Sequence, residues 1–271
     1  MEKTISAYRI PYTEQWTMNS KDNGAEYRIF MYVPSEPAPA EGYPVTYLLD
    51  GNALFGSVVE ANRLQTLGNG HVPAVVVGIG YPTDEPYDDA GRVRDYTVHV
   101  PGEELPPRDN GAPWPETGGA DAFIQFIANQ LKPEIEEKVY INLEKQGLLG
   151  HELGGFFTLY VLFNRPDLFN TYVIGSPSIW WKNHFIVTME DTLYKKLRDW
   201  EETGDLQFKR LLIGVGAAEK SNIIEDARDL YNRLADWQLS NFEADLRIFL
   251  EEGPITMLPP LISRGLAYFF D

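Results

Sequence analysis

Apolar and polar positions alternate first with the period of a strand and later with that of a helix. Ala7–Ile10 and Tyr27–Val33 alternate residue by residue, which predicts two N-terminal antiparallel strands. Pro44–Leu49 and Ala74–Ile79 are continuous apolar runs, the pattern of parallel strands buried on both faces. Residues 82–118 hold many prolines and glycines and little periodicity, and predict a long loop. From Gly119 to Lys138 apolar residues recur at helical spacing (Phe123, Phe126, Ile127, Leu131, Ile135), with Pro133 predicting a kink or break. Further strands are expected at Gly147–Leu149, Tyr172–Ile174, Leu211–Val215 and Leu246–Leu250, and helices at Leu153–Asn164, from about Ile224 to Trp237, and at Leu258–Phe270. This alternation predicts one α/β domain over residues 1–271, with a mostly parallel central sheet and helices on both faces. In such sheets sites form beyond the carboxyl ends of the strands.

Composition narrows the chemistry. The 271 residues are 44% hydrophobic and 23% charged, which suits a domain with a sizeable core. Cysteine is absent, so disulfides and thiolate metal sites are excluded. Met1-Glu2-Lys3-Thr4 lacks an apolar leader and no apolar run is long enough to span a bilayer, so a cytoplasmic protein is expected. The formal net charge of −17 repels nucleic acid and anionic membrane surfaces, and neither is expected as a partner. His71, His99 and His184 are scattered without metal-ligand spacing, so no metal or other cofactor is expected. No heptad or isolated apolar face points to an oligomer interface.

The candidate chemistry centres on Gly150-His151-Glu152-Leu153-Gly154-Gly155. A short apolar strand leads in, a helix leads out, and the glycines let the chain turn sharply. The pattern is G-x-S-x-G, the nucleophile elbow of α/β-hydrolases, with Glu152 where serine is expected. Six stretches in order resemble one group of these enzymes. They are Leu48-Leu49-Asp50-Gly51-Asn52-Ala53, Val77-Gly78-Ile79-Gly80-Tyr81-Pro82, Arg94-Asp95-Tyr96-Thr97, the elbow, Ser176-Pro177-Ser178-Ile179-Trp180-Trp181, and Gly216-Ala217-Ala218-Glu219. The chain resembles the α/β-hydrolases that open trilactone siderophores of the enterobactin, salmochelin and bacillibactin type.

That resemblance implies roles only where residues match. The loop at Gly51-Asn52 matches the one that offers an oxyanion-hole N–H, and Leu153, after the nucleophile position, offers the other. Glu219 falls where the acid that orients histidine is found. The histidine segment reads Glu251-Glu252-Gly253-Pro254-Ile255-Thr256-Met257, with Pro254 at or next to the histidine position. Trp180 and Trp181 are expected to line a pocket or to pack in the core. Arg92, Arg94 and Arg63 are candidates for gripping an anion, with an internal Arg94–Asp95 ion pair as the alternative.

With serine and histidine both replaced, negligible serine-type esterase activity is expected. Glu152 then has three readings. It plugs the oxyanion hole by accepting from the N–H groups of Asn52 and Leu153; it acts as a general acid or base beside that hole; or it acts as a nucleophile with Glu219 as base. The first leads to a catalytically degenerate relative that binds a small-molecule ligand or a partner protein. The alternative is a repurposed enzyme working through Glu152.

Overall fold

A computed structural model describes residues 6–69, 71–108, 111–205 and 207–270; the N-terminal residues Met1–Thr4 lie outside them. Eight strands form one sheet: β1 (Thr13–Asn19), β2 (Glu26–Tyr32), β3 (Tyr43–Leu48), β4 (Val75–Gly80), β5 (Ile141–His151), β6 (Thr171–Gly175), β7 (Lys209–Gly216) and β8 (Phe242–Phe249). Their spatial order is β1-β2-β4-β3-β5-β6-β7-β8. β1 and β2 pair antiparallel, β2 pairs antiparallel with β4, and every later pairing is parallel.

Period-two alternation sorts the buried side chains onto the two faces. Tyr47, Val77, Leu148, Tyr172 and Ile213 join the core on one side, and Leu48, Val76, Leu149, Val173 and Leu212 the core on the other. The second side is covered by α1 (Gly51–Asn69) and the C-terminal helix, the first by the remaining major helices. Both faces are sealed, which is why β3 and β4 read as unbroken apolar runs.

The structure departs from the sequence pattern in three places and specifies the break expected near Pro133. Ala7–Ile10 is not a strand: Tyr8 points into solvent, and the edge strand is the more polar Thr13–Asn19, held by its ladder to β2. Gly51-Asn52 is not loop but the first turn of α1, which packs Leu54, Phe55, Val58 and Val59 on the sheet. The expected loop over 82–118 contains α2 (Asp89–Tyr96), whose N-cap Asp88 accepts the Gly91 N–H at 2.6 Å. Between α3 (Ala120–Phe126) and α4 (Lys132–Lys138) the break is a π turn over Ile127–Leu131. Pro133 lies just beyond it: proline removes one N–H and crowds the preceding turn, and the widened turn absorbs that crowding.

After α5 (Leu153–Asn164) comes a single turn, α6 (Trp181–His184), with left-handed residues inside, and then α7 (Glu190–Thr203), whose buried Leu193 and Leu197 lie four apart. The periodicity of that stretch carried no expectation, since it is mostly charged. α8 (Ser221–Ala235) and α9 (Leu258–Phe270) complete the chain. Among the described residues no helix is long and apolar enough to cross a membrane.

Candidate active site

β3, β5 and β6 are each followed within two residues by a non-glycine residue with positive φ: Asp50 at 53°, Glu152 at 53° and Ser176 at 44°. Such backbone costs on the order of 1–3 kcal/mol per residue and gathers at functional sites. The three lie along the carboxyl edge of neighbouring strands, where the sheet topology places a site.

Glu152 occupies the sharp turn between β5 and α5. Its N–H donates to the Gly175 carbonyl at 2.9 Å, and its own carbonyl accepts from Phe156 at 2.9 Å and Ser178 at 3.1 Å. The turn closes because Gly150 has no side chain: a Cβ there would run into the Gly154 carbonyl and the Thr158 hydroxyl. A Cβ on Gly155 would stand 3.1 Å from the Gly175 oxygen. The Glu152 side chain makes no capping hydrogen bond to α5 and is 41% exposed. The plugged-hole reading is therefore corrected: among the described residues, no hydrogen bond joins this carboxylate to the N–H groups of Asn52 or Leu153.

Among the described residues one cation pairs with the elbow carboxylate. Arg92, on α2, approaches Glu152 with Nη2 3.8 Å from Oε2. Its guanidinium is held from behind by Asp50, Nε to Oδ1 at 2.7 Å and Nη2 to Oδ2 at 3.1 Å. Tyr96 closes the back, accepting the Asp50 N–H at 3.1 Å and donating to Oδ1 at 3.3 Å. Burial raises the Asp50 carboxyl above the usual carboxylate range, against the pull of the Arg92 charge and its hydrogen bonds. His151 lies beneath the turn, 1% exposed, with neither ring nitrogen hydrogen-bonded. The Pro254 carbonyl stands beside the ring without completing a bond, and burial pushes the imidazole down to about 4. It is neutral at pH 7.

The other expected site residues separate into two groups. Leu153 and Gly51-Asn52 start α5 and α1, so their N–H groups lie in first turns that have no intrahelical acceptor. The Asn52 side chain pins its turn to the end of β4, accepting the Tyr81 N–H at 2.8 Å and donating to the carbonyls of Tyr81 at 3.0 Å and Thr83 at 2.7 Å. Glu219 sits in the turn after β7. It accepts from the Ser176 hydroxyl at 2.6 Å and the Gly216 N–H at 2.7 Å, so it braces the strained end of β6.

Arg94 is bound bidentately to buried Asp95, both bonds at 2.7 Å, and Arg63 pairs with Glu60 on α1 at 2.8 Å. Trp181 is fully buried and donates to the Val98 carbonyl at 3.2 Å. Trp180 instead lines a cavity of about 650 Å³ with Trp114, Arg108, Lys220 and Ile223. Asp50, Ser176, Trp114, Arg108 and Lys220 carried no expected site role. The Asp88 N-cap signal was available and, by placing α2, would have set Arg92 one turn along the same face.

Comparison with known proteins bears on this geometry. Residues 20–228 match the family model described as "Putative esterase". The chain is 43% identical to the ferri-bacillibactin esterase BesA of Bacillus subtilis (strain 168), over 98% of this chain and 92% of that one. It is 31% identical to a siderophore enterobactin esterase of Emericella nidulans, over 93% and 92% of the two chains. The crystal structure of BES protein from Bacillus cereus superimposes with a TM-score of 0.90 at 36% identity, each chain covered completely. Siderophore hydrolase EstA from Aspergillus nidulans does so with a TM-score of 0.78 at 26% identity, over 99% and 98% of the chains.

These likenesses overturn the expectation of a catalytically degenerate, non-hydrolytic chain. Relatives matching nearly the whole length carry the name of siderophore esterases. With a family model spanning most of its residues and a relative 43% identical along nearly all of it, this chain belongs to the esterase family, in the α/β-hydrolase fold.

Proposed function

We propose that this protein hydrolyses ester bonds of siderophore-type lactones, with the Glu152 carboxylate as general base. The carrying observation is that carboxylate itself: it stands on the elbow turn, partly exposed and unbonded to the first-turn N–H groups beside it. The relatives' names supply the siderophore class of substrate, and the resemblance of the six sequence stretches supplies the lactone.

The step follows from the donors present. A water held at Glu152 gives up a proton to the carboxylate as its oxygen attacks the ester carbonyl. The carbonyl oxygen becomes an oxyanion, received by the Leu153 N–H and a first-turn N–H at Gly51-Asn52. Collapse breaks the bond to the alkoxy oxygen, and the proton returns from Glu152 to that leaving group. Atoms and charge balance without serine or histidine. General-base assistance contributes about 10²–10⁴-fold, and each oxyanion donor about 10²–10³-fold.

The cavity walled by Trp114 and Trp180 suits the aromatic arms of a catecholate ligand. Arg108 and Lys220 at its rim supply positive charge against the acidic background of the chain. Arg108 is itself ordered by Asp89 at 2.6 Å and by the Trp114 ring 5.1 Å from its guanidinium carbon.

The test is incubation with a catecholate trilactone, iron-free and iron-loaded, with ring-opened products separated by mass. Turnover by the wild type, reduced at least about 100-fold in Glu152→Gln, is the expected result. A wild type no faster than buffer overturns the function; equal rates in the two proteins overturn the role of Glu152.

A further inference from the structure

The Asp50–Arg92–Glu152 arrangement has a direction. Side-chain exposure rises from 1% at Asp50 to 11% at Arg92 and 41% at Glu152. The buried end is rigid: Asp50 is fixed by two bonds from Arg92 and by Tyr96, on a strand end whose backbone is already constrained. Arg92 is further confined by the Tyr87 ring, 4.7 Å from its guanidinium carbon, and by Tyr96 at 5.9 Å. The exposed end is tied by its ion pair to Arg92 alone, for Glu152 has no hydrogen-bonding side-chain partner among the described residues.

We infer that Arg92 is a positioning residue for Glu152: anchored on Asp50, it holds the elbow carboxylate in place over the first turn of α5. The separation matters. At 3.8 Å the pair attracts electrostatically but lies beyond hydrogen-bond reach, so both carboxylate oxygens keep lone pairs for the proton of a water. A direct bidentate bond would order the carboxylate equally well and occupy the lone pairs that a base needs. Asp50 takes that bidentate bond instead. The charged and titratable groups around Glu152 and Arg92 are Asp50 after β3, Tyr87 and Tyr96 from the α2 segment and His151 from β5, with Glu219 from the turn after β7 acting on His151. Arg92 is the cation among them, since His151 is neutral at pH 7.

The inference rests on the hydrolytic reading for its catalytic consequence, and two readouts keep the two separable. In steady-state hydrolysis, Arg92→Met lowers kcat by on the order of 10²-fold and leaves KM within about threefold. Arg92→Lys retains part of the rate, and added guanidinium restores activity to Arg92→Ala. A change in KM alone, with kcat unmoved and no rescue, overturns the inference.

The second readout needs no turnover. With ¹³C-labelled glutamate, the Glu152 carboxyl signal is identified by its loss in Glu152→Gln, and its relaxation at pH 7 is followed in wild type and Arg92→Met. Greater carboxyl mobility in the variant supports the hold; unchanged relaxation overturns it. Greater mobility without wild-type hydrolysis leaves the hold standing and removes the function. If Arg92→Met does not fold, Asp50→Asn/Arg92→Gln removes both charges together and carries the same two readouts.

Discussion

Replacing Asp50 with asparagine isolates the electrostatic part of the site. Asparagine is similar in shape and tolerates the positive φ of 53° at this position, so backbone strain changes little. The substitution strips the counter-charge from Arg92, which is 11% exposed and receives no other bidentate partner. Two charge-assisted hydrogen bonds go, each worth about 1.5–3 kcal/mol. Breaking a buried pair from one side typically costs about 3–5 kcal/mol. Glu152, 3.8 Å away and partly exposed, offsets part of this by closing onto the orphaned guanidinium, a gain of about 0–1 kcal/mol. The expected loss is therefore about 2–5 kcal/mol. The assay is equilibrium urea unfolding at pH 7, read as a midpoint shift at constant slope. Asp50→Asn/Glu152→Gln removes the compensating carboxylate and is expected to lie at the upper end. A loss under about 1 kcal/mol for Asp50→Asn, against the 3–5 kcal/mol of a broken buried pair, or strict additivity of the two substitutions, refutes the reasoning.

Three further outcomes follow. Gly150→Ala drives a methyl into the Gly154 carbonyl, so the elbow cannot close; loss of the cooperative thermal transition checks it, and a wild-type Tm would refute it. His151 titrates near 4 in the fold against 6.5 in the unfolded chain, so between those values the unfolded state binds the extra proton and stability falls as pH falls. The loss amounts to at most about 3 kcal/mol, and urea midpoints for His151→Leu should show a flatter profile across that window. Trp180→Ala opens the cavity wall and should weaken a catecholate ligand about tenfold with kcat little changed, read by fluorescence titration; unchanged affinity would place the ligand elsewhere.

Much of the architecture was legible because local pattern and tertiary environment agree. A strand sealed on both faces must be apolar throughout, so β3, β4 and β7 announce themselves. α5 and α9 have the bounds their sequences predicted, since a glycine-rich turn and Pro259-Pro260 mark their starts. Where the two levels disagree, the pattern misleads. Thr13–Asn19 reads as polar because an edge strand needs only one covered side, and α1 opens with glycine because Gly51 lies close against Gly78 of β4.

The sequence by itself determined the turn: Gly150, Gly154 and Gly155 around Glu152 permit only a sharp strand-to-helix junction, and no rearrangement of the fold changes which side chain it presents. Only tertiary structure decided what that side chain meets. Asp50, Arg92 and Glu152 are separated by some forty to sixty residues in successive steps, and nothing local couples them. They meet because β3 and β5 are neighbours whose ends fall level, and because α2 packs against α5 across that edge. An ion pair depends on distance in space, and the spatial order of strands is set by the burial of the whole sheet rather than by any one segment.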